Sequence, residues 1–200
     1  FLSYLYTQRN CIHHGTYLFL LKGGDDGRIK MWLADSGVLV MTFIGHTSFI
    51  SDMDLELEGR YLLSCAVDGS LRVWDLKKRG QSFAVQASCE FRGCAIRKRS
   101  GGFLLFATGS DSCLRLWRVT ENLRESFHVD DFREINFKRG DESESFRAFE
   151  VSPDGRTFAV LLSSGQGWIF ETDAIDLDTN RLNIQDSISD IKYCENLKQW

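Results

Sequence analysis

Four copies of a short segment, each ending in a large aromatic residue, recur along this chain. The copies are DDGRIKMW at 25–32, VDGSLRVW at 67–74, SDSCLRLW at 110–117 and SSGQGWIF at 163–170. Their final residues are spaced by 42, 43 and 53 positions. Repeats of about 40 to 45 residues are typical of propeller blades built from four strands, whereas helical repeats need apolar residues every three to four positions. The spacing therefore predicts an all-β repeat protein.

The residues inside each copy follow the two-residue period of a strand. After the first Asp-Gly turn, Ile29 and Met31 alternate with the charged residues Arg28 and Lys30, which predicts one packed and one wet face. Before each turn lies an apolar run of the kind found in strands buried on both faces. These runs are TYLFLL, RYLLSCA, GFLLFAT and RTFAVLL.

This period divides the chain into about four recognisable four-stranded blades. The predicted bounds are 1–45, 46–86, 87–120 with a charged insert over 121–145, and 146–185, with 186–200 opening a further blade. The insert is dense in both signs of charge and is interpreted as a solvated connection, in which Ser143 or Ser145 could be phosphorylated. Because the chain begins with Phe1 and propellers usually close with 4 to 8 blades, we expect an incomplete ring from a longer protein.

Composition limits the functions that such a fold could have. The 200 residues are 43% hydrophobic and carry a net charge of −4, which predicts a globular protein and disfavours a broad electrostatic grip on nucleic acid or membrane. No basic leader or long apolar span occurs, so an intracellular protein is expected, with reduced cysteines. Cys11, His13 and His14 lack the further ligands of a tetrahedral metal site. We expect no metal, cofactor, membrane or small-molecule substrate.

These residues resemble the WD-repeat family over about 15–172, most strongly over 23–75. Gly45-His46 precedes a blade, and Trp74-Asp75 ends its third strand. The resemblance implies a WD-repeat β-propeller in which His, Asp and Trp join a Ser or Thr of the second strand in a buried hydrogen-bonded chain.

Transferred position by position, this blade network consists of His46, Asp68 and Trp74, with Ala66 at the hydroxyl position. The neighbouring blades have partial sets, Asp26 with Trp32 and Asp111 with Trp117, and Gly24 and Gly109 take the hydroxyl positions. We therefore expect no blade to have the complete network. A buried imidazole between polar partners is structural rather than catalytic.

A narrower resemblance concerns the segment before residue 80. The Asp-Asp turn, Gly-His and ISDM at 50–53 are similar in order to the early repeats of bromodomain and WD-repeat proteins, which are nuclear chromatin regulators. This resemblance implies a nuclear location and a role in transcription with chromatin proteins as partners, and a cytoplasmic location stays open.

Three classes of function remain to be weighed. A non-enzymatic scaffold that binds proteins through its loops is favoured, because no nucleophile with a base and no phosphate-cradling loop is found, so the chain is not predicted to be an enzyme. A nucleic-acid reader would rest on two short basic turns, 76–81 and 96–102, which are commonly charged for solubility.

The remaining alternative is a substrate receptor of a cullin-type ubiquitin ligase. Such receptors often carry Trp-Asp-x-Arg at the end of a third strand. Here the matching residues include Asp75 and Lys77, which are a candidate adaptor contact, and lysine lacks the planar donor fork of arginine.

Overall fold

The described part of the chain consists of strands joined by short turns. The structure is a computed structural model that describes residues 3–10, 15–121, 127–137, 145–172 and 182–183. These residues include no α-helix, and they fall into two compact units, 1–96 and 97–200, which are described separately. Cys11, His13, His14, Ser143, Cys194 and the segment 186–200 lie outside the described residues.

The first unit contains two antiparallel sheets in which each strand pairs with the next one in sequence. The first sheet has the order β1 (Ser3–Asn10), β2 (Gly15–Gly23), β3 (Ile29–Leu33) and β4 (Leu39–Phe43). The second has the order β5 (Ile50–Leu55), β6 (Tyr61–Ala66), β7 (Ser70–Asp75) and β8 (Gly80–Gln86). Strands β2 and β6 contain the predicted apolar runs.

The third sheet contains β9 (Phe91–Arg99), β10 (Gly102–Gly109), β11 (Cys113–Glu121) and β12 (Phe127–Asn136), and β9 crosses the boundary between the units. The short strand β16 (Leu182–Asn183) pairs in parallel with β12. The fourth sheet contains β13 (Phe146–Val151), β14 (Thr157–Leu162) and β15 (Gly167–Glu171).

The interpretation of 121–145 as a connection is wrong for residues 127–136, because they form strand β12. Their side chains alternate along most of the strand, with His128, Asp130 and Phe132 exposed. This alternation is that of an outer strand with one wet face, so the charge density reflects a solvated face rather than a loop.

The tight turns between the second and third strands have a backbone that favours glycine. Gly27 and Gly69 have φ of 72° and 75°, in the left-handed region where a side chain is strained. A Cβ at Gly27 would also lie 2.5 Å from the carbonyl oxygen of His46. The third sheet has Ser112 at the equivalent position, with φ of 64°.

Each unit has its own apolar core. In the first unit, the core lies between the two sheets and consists of Phe19, Leu21, Ile29, Met31, Phe43, Ile50, Met53, Leu62, Trp74 and Leu76. Trp74 is 2% exposed, and its ring lies 5.5 Å from that of Phe43. In the second unit, Phe158 packs against the rings of Phe106, Phe149 and Phe170.

Replacing Trp74 by Ala should lower the free energy of unfolding by about 3 to 5 kcal/mol, because it leaves a large cavity in this core. Urea denaturation of purified variants measures the change. Trp32→Ala is the matched control, since Trp32 ends the equivalent strand but is only half-buried, and it should cost clearly less. Equal small losses for both variants would contradict the assignment of Trp74 to the core.

Candidate functional site

The segment between β4 and β5 lies between two turns of the first unit. The N–H of Ile50 donates to the carbonyl of Gly24 at 3.3 Å, and the N–H of Val67 donates to the carbonyl of Phe49 at 3.0 Å. A Cβ at Gly45 would lie 2.9 Å from the Trp74 ring, so a glycine is needed where the segment crosses the indole. We refer to residues 44–49 as the binding loop.

His46 is a residue of this loop, and its buried side chain joins the loop to the second sheet. The His46 side chain is fully buried, with Nδ1 2.7 Å from Ser70 Oγ and Nε2 2.7 Å from Ser64 Oγ. Trp74 Nε1 donates to Ser64 Oγ at 2.8 Å, and Ser70 Oγ donates to Asp68 Oδ1 at 2.7 Å. The five side chains form one continuous hydrogen-bonded chain, which we call the His46 network.

The direction of each hydrogen bond follows from the two groups that end the network, the Trp74 indole N–H and the Asp68 carboxylate. The indole N–H can only donate, so Ser64 accepts from Trp74 and directs its own proton to Nε2 of His46. Ser70 directs its proton to the Asp68 carboxylate and therefore accepts from Nδ1 of His46. The network thus selects a neutral imidazole with its proton on Nδ1.

Asp68 connects the network to the backbone of the loop and of its own turn. Its Oδ2 accepts the N–H of Thr47 at 2.7 Å, and its Oδ1 accepts the N–H of Ser70 at 2.8 Å. Burial raises the pKa of Asp68, but these hydrogen bonds together lower it further than burial raises it, so the pKa lies below its ordinary value.

The expectation that Ala66 occupies the hydroxyl position is wrong. Ser64, two residues earlier on the same face of β6, supplies the hydroxyl and completes the network in the second sheet. The strand register explains the difference. Trp74 on β7 pairs with Leu62 on β6, and its indole N–H reaches Ser64, two residues further along β6. Sequence reasoning also missed Ser70, although a hydroxyl two residues after a turn Asp is a signal for it.

The neighbouring repeats do not contain this network. Asp26 is exposed and accepts the N–H of Arg28 at 3.1 Å, within its own turn. The position equivalent to Ser64 is Lys22 in the first sheet. Trp32 is half-buried there. The prediction of an incomplete set therefore stands for this repeat, with Lys22 rather than Gly24 at the hydroxyl position.

The third sheet uses an ion-pair cluster instead. Arg115 is buried on β11 and contacts Asp111 Oδ1 at 3.1 Å and Oδ2 at 2.5 Å. Its Nε lies 3.0 Å from Glu134 Oε2 on β12. Ala107 stands at the position of Ser64, so Trp117 has no equivalent hydroxyl, and the turn aspartate is held by arginine rather than by histidine.

Only Lys77 of the two candidate adaptor residues is exposed. Asp75 is fully buried, where its carboxylate binds the Arg60 guanidinium at 3.1 Å and accepts the N–H groups of Lys77 and Lys78 at 2.8 and 2.9 Å. Asp75 therefore stabilises the β7–β8 turn, and a direct contact with a partner could involve Lys77 but not Asp75.

The chemistry of the site favours a structural role. Serine, histidine and aspartate also occur in hydrolase triads, but the Ser64 and Ser70 side chains are buried and both hydroxyl protons are already donated within the network. Burial, with a smaller contribution from Arg72, lowers the pKa of His46 to about 4, against the opposing attraction of Asp68. His46 is thus a neutral link rather than a general base poised near pH 7.

The described residues contain neither a metal-binding cluster nor a membrane-spanning helix. No group of three or more His, Cys, Asp or Glu residues within those ranges is placed to hold a metal ion. The same residues contain no helix of sufficient length and apolar character to span a bilayer. The four cysteines among them, Cys65, Cys89, Cys94 and Cys113, are thiols.

Comparisons with known proteins identify the repeat that contains this network. The family model for the WD domain, G-beta repeat, matches residues 37–75. Residues 37–75 are therefore similar in sequence to a WD40 repeat. The match spans the binding loop, Gly45-His46 and Trp74-Asp75. It supports the WD-repeat resemblance, whereas none of the comparisons below concerns a bromodomain protein.

Similar proteins support the same conclusion. An uncharacterised WD repeat-containing protein of Schizosaccharomyces pombe is 31% identical over 54% of this chain and 29% of its own length. Human WD repeat and SOCS box-containing protein 1 is 31% identical over 51% of this chain and 24% of its own length. The chain thus spans less than a third of these relatives.

The fold of this chain is similar to that of a protein of known structure. The β-propeller domain of Cps50 (Swd1) from Myceliophteria thermophila aligns with a TM-score of 0.62 at 20% identity, over 78% of this chain and 49% of that one. Together with the antiparallel sheets, this similarity confirms the prediction of an all-β propeller fold.

Replacing Ser64 by Ala should lower the free energy of unfolding by about 1 to 3 kcal/mol, because it leaves the Trp74 N–H and the His46 Nε2 without a partner inside the blade. Chemical denaturation measures the loss. Ser51→Ala is the matched control, since the Ser51 hydroxyl is buried with no hydrogen-bond partner, and it should cost less. If the two substitutions cost the same, the hydroxyl of Ser64 does not hold the network.

Stability should depend on pH through His46. The pKa of His46 is about 4 in the folded protein, whereas the ordinary value of an unburied histidine is 6.5. The unfolded chain therefore binds a proton at His46 more readily than the folded protein does. The stabilisation is complete above pH 6.5 and is lost as the pH falls towards 4, by about 3 kcal/mol in total. Urea melts across this range measure it. His46→Gln should give a flatter profile, and an unchanged slope would contradict the assignment.

Proposed function

We propose that the chain is a non-enzymatic scaffold that binds other proteins, with the binding loop at the centre of one contact surface. The observation that carries this proposal is the exposure of two large apolar side chains on a firmly held loop. Ile44 is 71% exposed and Phe49 is 44% exposed. Exposed apolar side chains in a fixed arrangement are typical of protein interfaces.

The backbone of the loop is already ordered before any partner binds. Thr47 is held by Asp68 and Phe49 by Val67, and Ile50, directly after the loop, is held by Gly24. Binding would therefore cost little conformational entropy, and more of the contact energy would appear as affinity. The exposed carboxylates of Asp25 and Asp26 stand on the adjacent turn, where they form a polar rim of negative charge that favours a partner with basic residues beside its apolar contact.

The finer assignments rest on resemblance. The similarity of ISDM at 50–53 to bromodomain and WD-repeat proteins supports a nuclear scaffold that regulates transcription on chromatin. The ubiquitin-ligase alternative is supported by exposed Lys77 and by the similarity to WD repeat and SOCS box-containing protein 1. A nucleic-acid role has weaker support, since the net charge is −4.

Replacing Phe49 or Ile44 by Asp should abolish partner capture while leaving the fold intact, because each substitution places a charge within the apolar contact. Quantitative mass spectrometry of proteins recovered on the immobilised chain from a cell lysate measures the loss. Surface substitutions usually change stability by about 0.5 kcal/mol or less, so thermal melts should be nearly unchanged.

Val38→Asp is the matched control for this experiment. Val38 is 55% exposed but lies in the β3–β4 turn, away from the loop. A partner that depends on the loop is lost from both loop variants and retained by the control. If all three variants recover the same proteins as the unchanged chain, the loop is not the contact surface.

A further inference from the structure

Two turns lie side by side at the end of the second sheet remote from the binding loop. The turn before β6 covers 56–60, and the turn after β7 covers 76–79. The N–H of Leu76 donates to the carbonyl of Arg60 at 2.9 Å. Strand β6 begins at the turn 56–60 and ends at the turn that contains Asp68. The two turns and the binding loop therefore lie at opposite ends of the second sheet.

Both turns are fixed by carboxylates that point inward. Glu56 is 2% exposed, and its oxygens accept the N–H groups of Glu58 and Arg60 at 2.8 and 3.1 Å. Asp75, buried as described above, accepts two N–H groups of the other turn and binds Arg60. Two negative charges are thereby removed from the surface, and the turns above them have a defined conformation.

The side chains that remain outside are mainly cationic. Lys77, Lys78 and Arg79 are consecutive and exposed, while Glu58 is the exposed carboxylate among the described residues of the two turns. Leu57 is 79% exposed on the neighbouring turn. The surface therefore combines a net positive charge with a single projecting apolar side chain, which we call the basic surface.

Arg79 has a left-handed backbone conformation, and the equivalent position in the first sheet is a glycine, Gly37. Arg79 has φ of 61°, and Gly37, which also stands five residues after the tryptophan of its repeat, has φ of 67°. An arginine in this region is strained relative to glycine. Strained residues that persist where glycine would fit are found most often at functional positions.

We propose that the basic surface binds an acidic segment of a partner protein that also carries an apolar side chain. The three cations attract its carboxylates, and Leu57 packs against its apolar residue. Glu56 and Asp75 accept backbone N–H groups of the turns, so these two carboxylates hold the turns and are not presented to a partner. The inference rests on the proposed scaffold function but assigns a second surface to it.

The test uses a fluorescein-labelled peptide of alternating Glu and Gly with one central Leu, titrated with the 200-residue chain at low ionic strength. Lys77→Glu/Lys78→Glu should weaken binding at least about tenfold, as expected when two close charges are reversed. Arg92→Glu/Lys98→Glu, which reverses two exposed cations on β9, is the matched control and should bind nearly as the unchanged chain does. Leu57→Ser should weaken binding severalfold.

Arg79→Gly separates a binding role from a structural one. Glycine relieves the backbone strain, so the melting temperature should rise, while the peptide should bind severalfold more weakly. A purely structural Arg79 would change the melting temperature alone, and this outcome would overturn its part in the surface.

Three results would overturn the proposal as a whole. They are equal affinity for a neutral Gly and Ser peptide, equal losses in the two double variants, and tighter binding to oligo-dT or to phosphatidylserine vesicles than to the acidic peptide. The proposed function is judged separately, because its Phe49 and Ile44 variants leave the basic surface intact. If the unchanged chain does not bind the acidic peptide but still captures proteins through the binding loop, only this inference is contradicted.

Discussion

The His46 network is the interaction on which the second sheet and the loop above it depend. It joins four parts of the repeat: the loop before the first strand, the second strand, the turn before the third strand and the third strand itself. Each buried polar atom along it has a partner, and each hydrogen bond polarises the next in a region of low dielectric constant. The positions of the exposed residues Ile44 and Phe49 therefore depend on polar groups that are largely buried.

The third sheet shows that the turn aspartate, rather than the histidine, is the common element. Asp68 and Asp111 both accept the N–H of the residue two positions on. In the second sheet the aspartate accepts from the Ser70 hydroxyl, which links it to His46. In the third sheet it binds Arg115, which also reaches Glu134 on the outer strand. The equivalent arginine of the second sheet, Arg72, donates to Ser70 at 3.1 Å. One strand position thus supports the turn in two different ways.

Local periodicity accounts for what could be predicted from the sequence. The apolar runs and Asp-Gly turns predict strands and tight turns because they depend on neighbouring residues only. Ser64 was missed because its role depends on which residues face each other across two strands, and a motif aligned to the turn placed the hydroxyl two positions too late. Strand β12 was missed because its charged face resembles a loop. The burial of Asp75 depends on Arg60, which lies fifteen residues earlier.

The way in which the binding loop is held has a further consequence for its dynamics. The amides of Thr47 and Ile50 donate to acceptors in the adjoining turns, and the amide of Val67 donates to the carbonyl of Phe49 in the loop. Amide protons of ordinary surface loops exchange with solvent through small local openings, whereas protons in such bonds exchange only when the surrounding unit opens. Deuterium uptake at these three amides should accordingly be as slow as in the strands of the second sheet, so that the loop behaves as part of the cooperative unit that it connects.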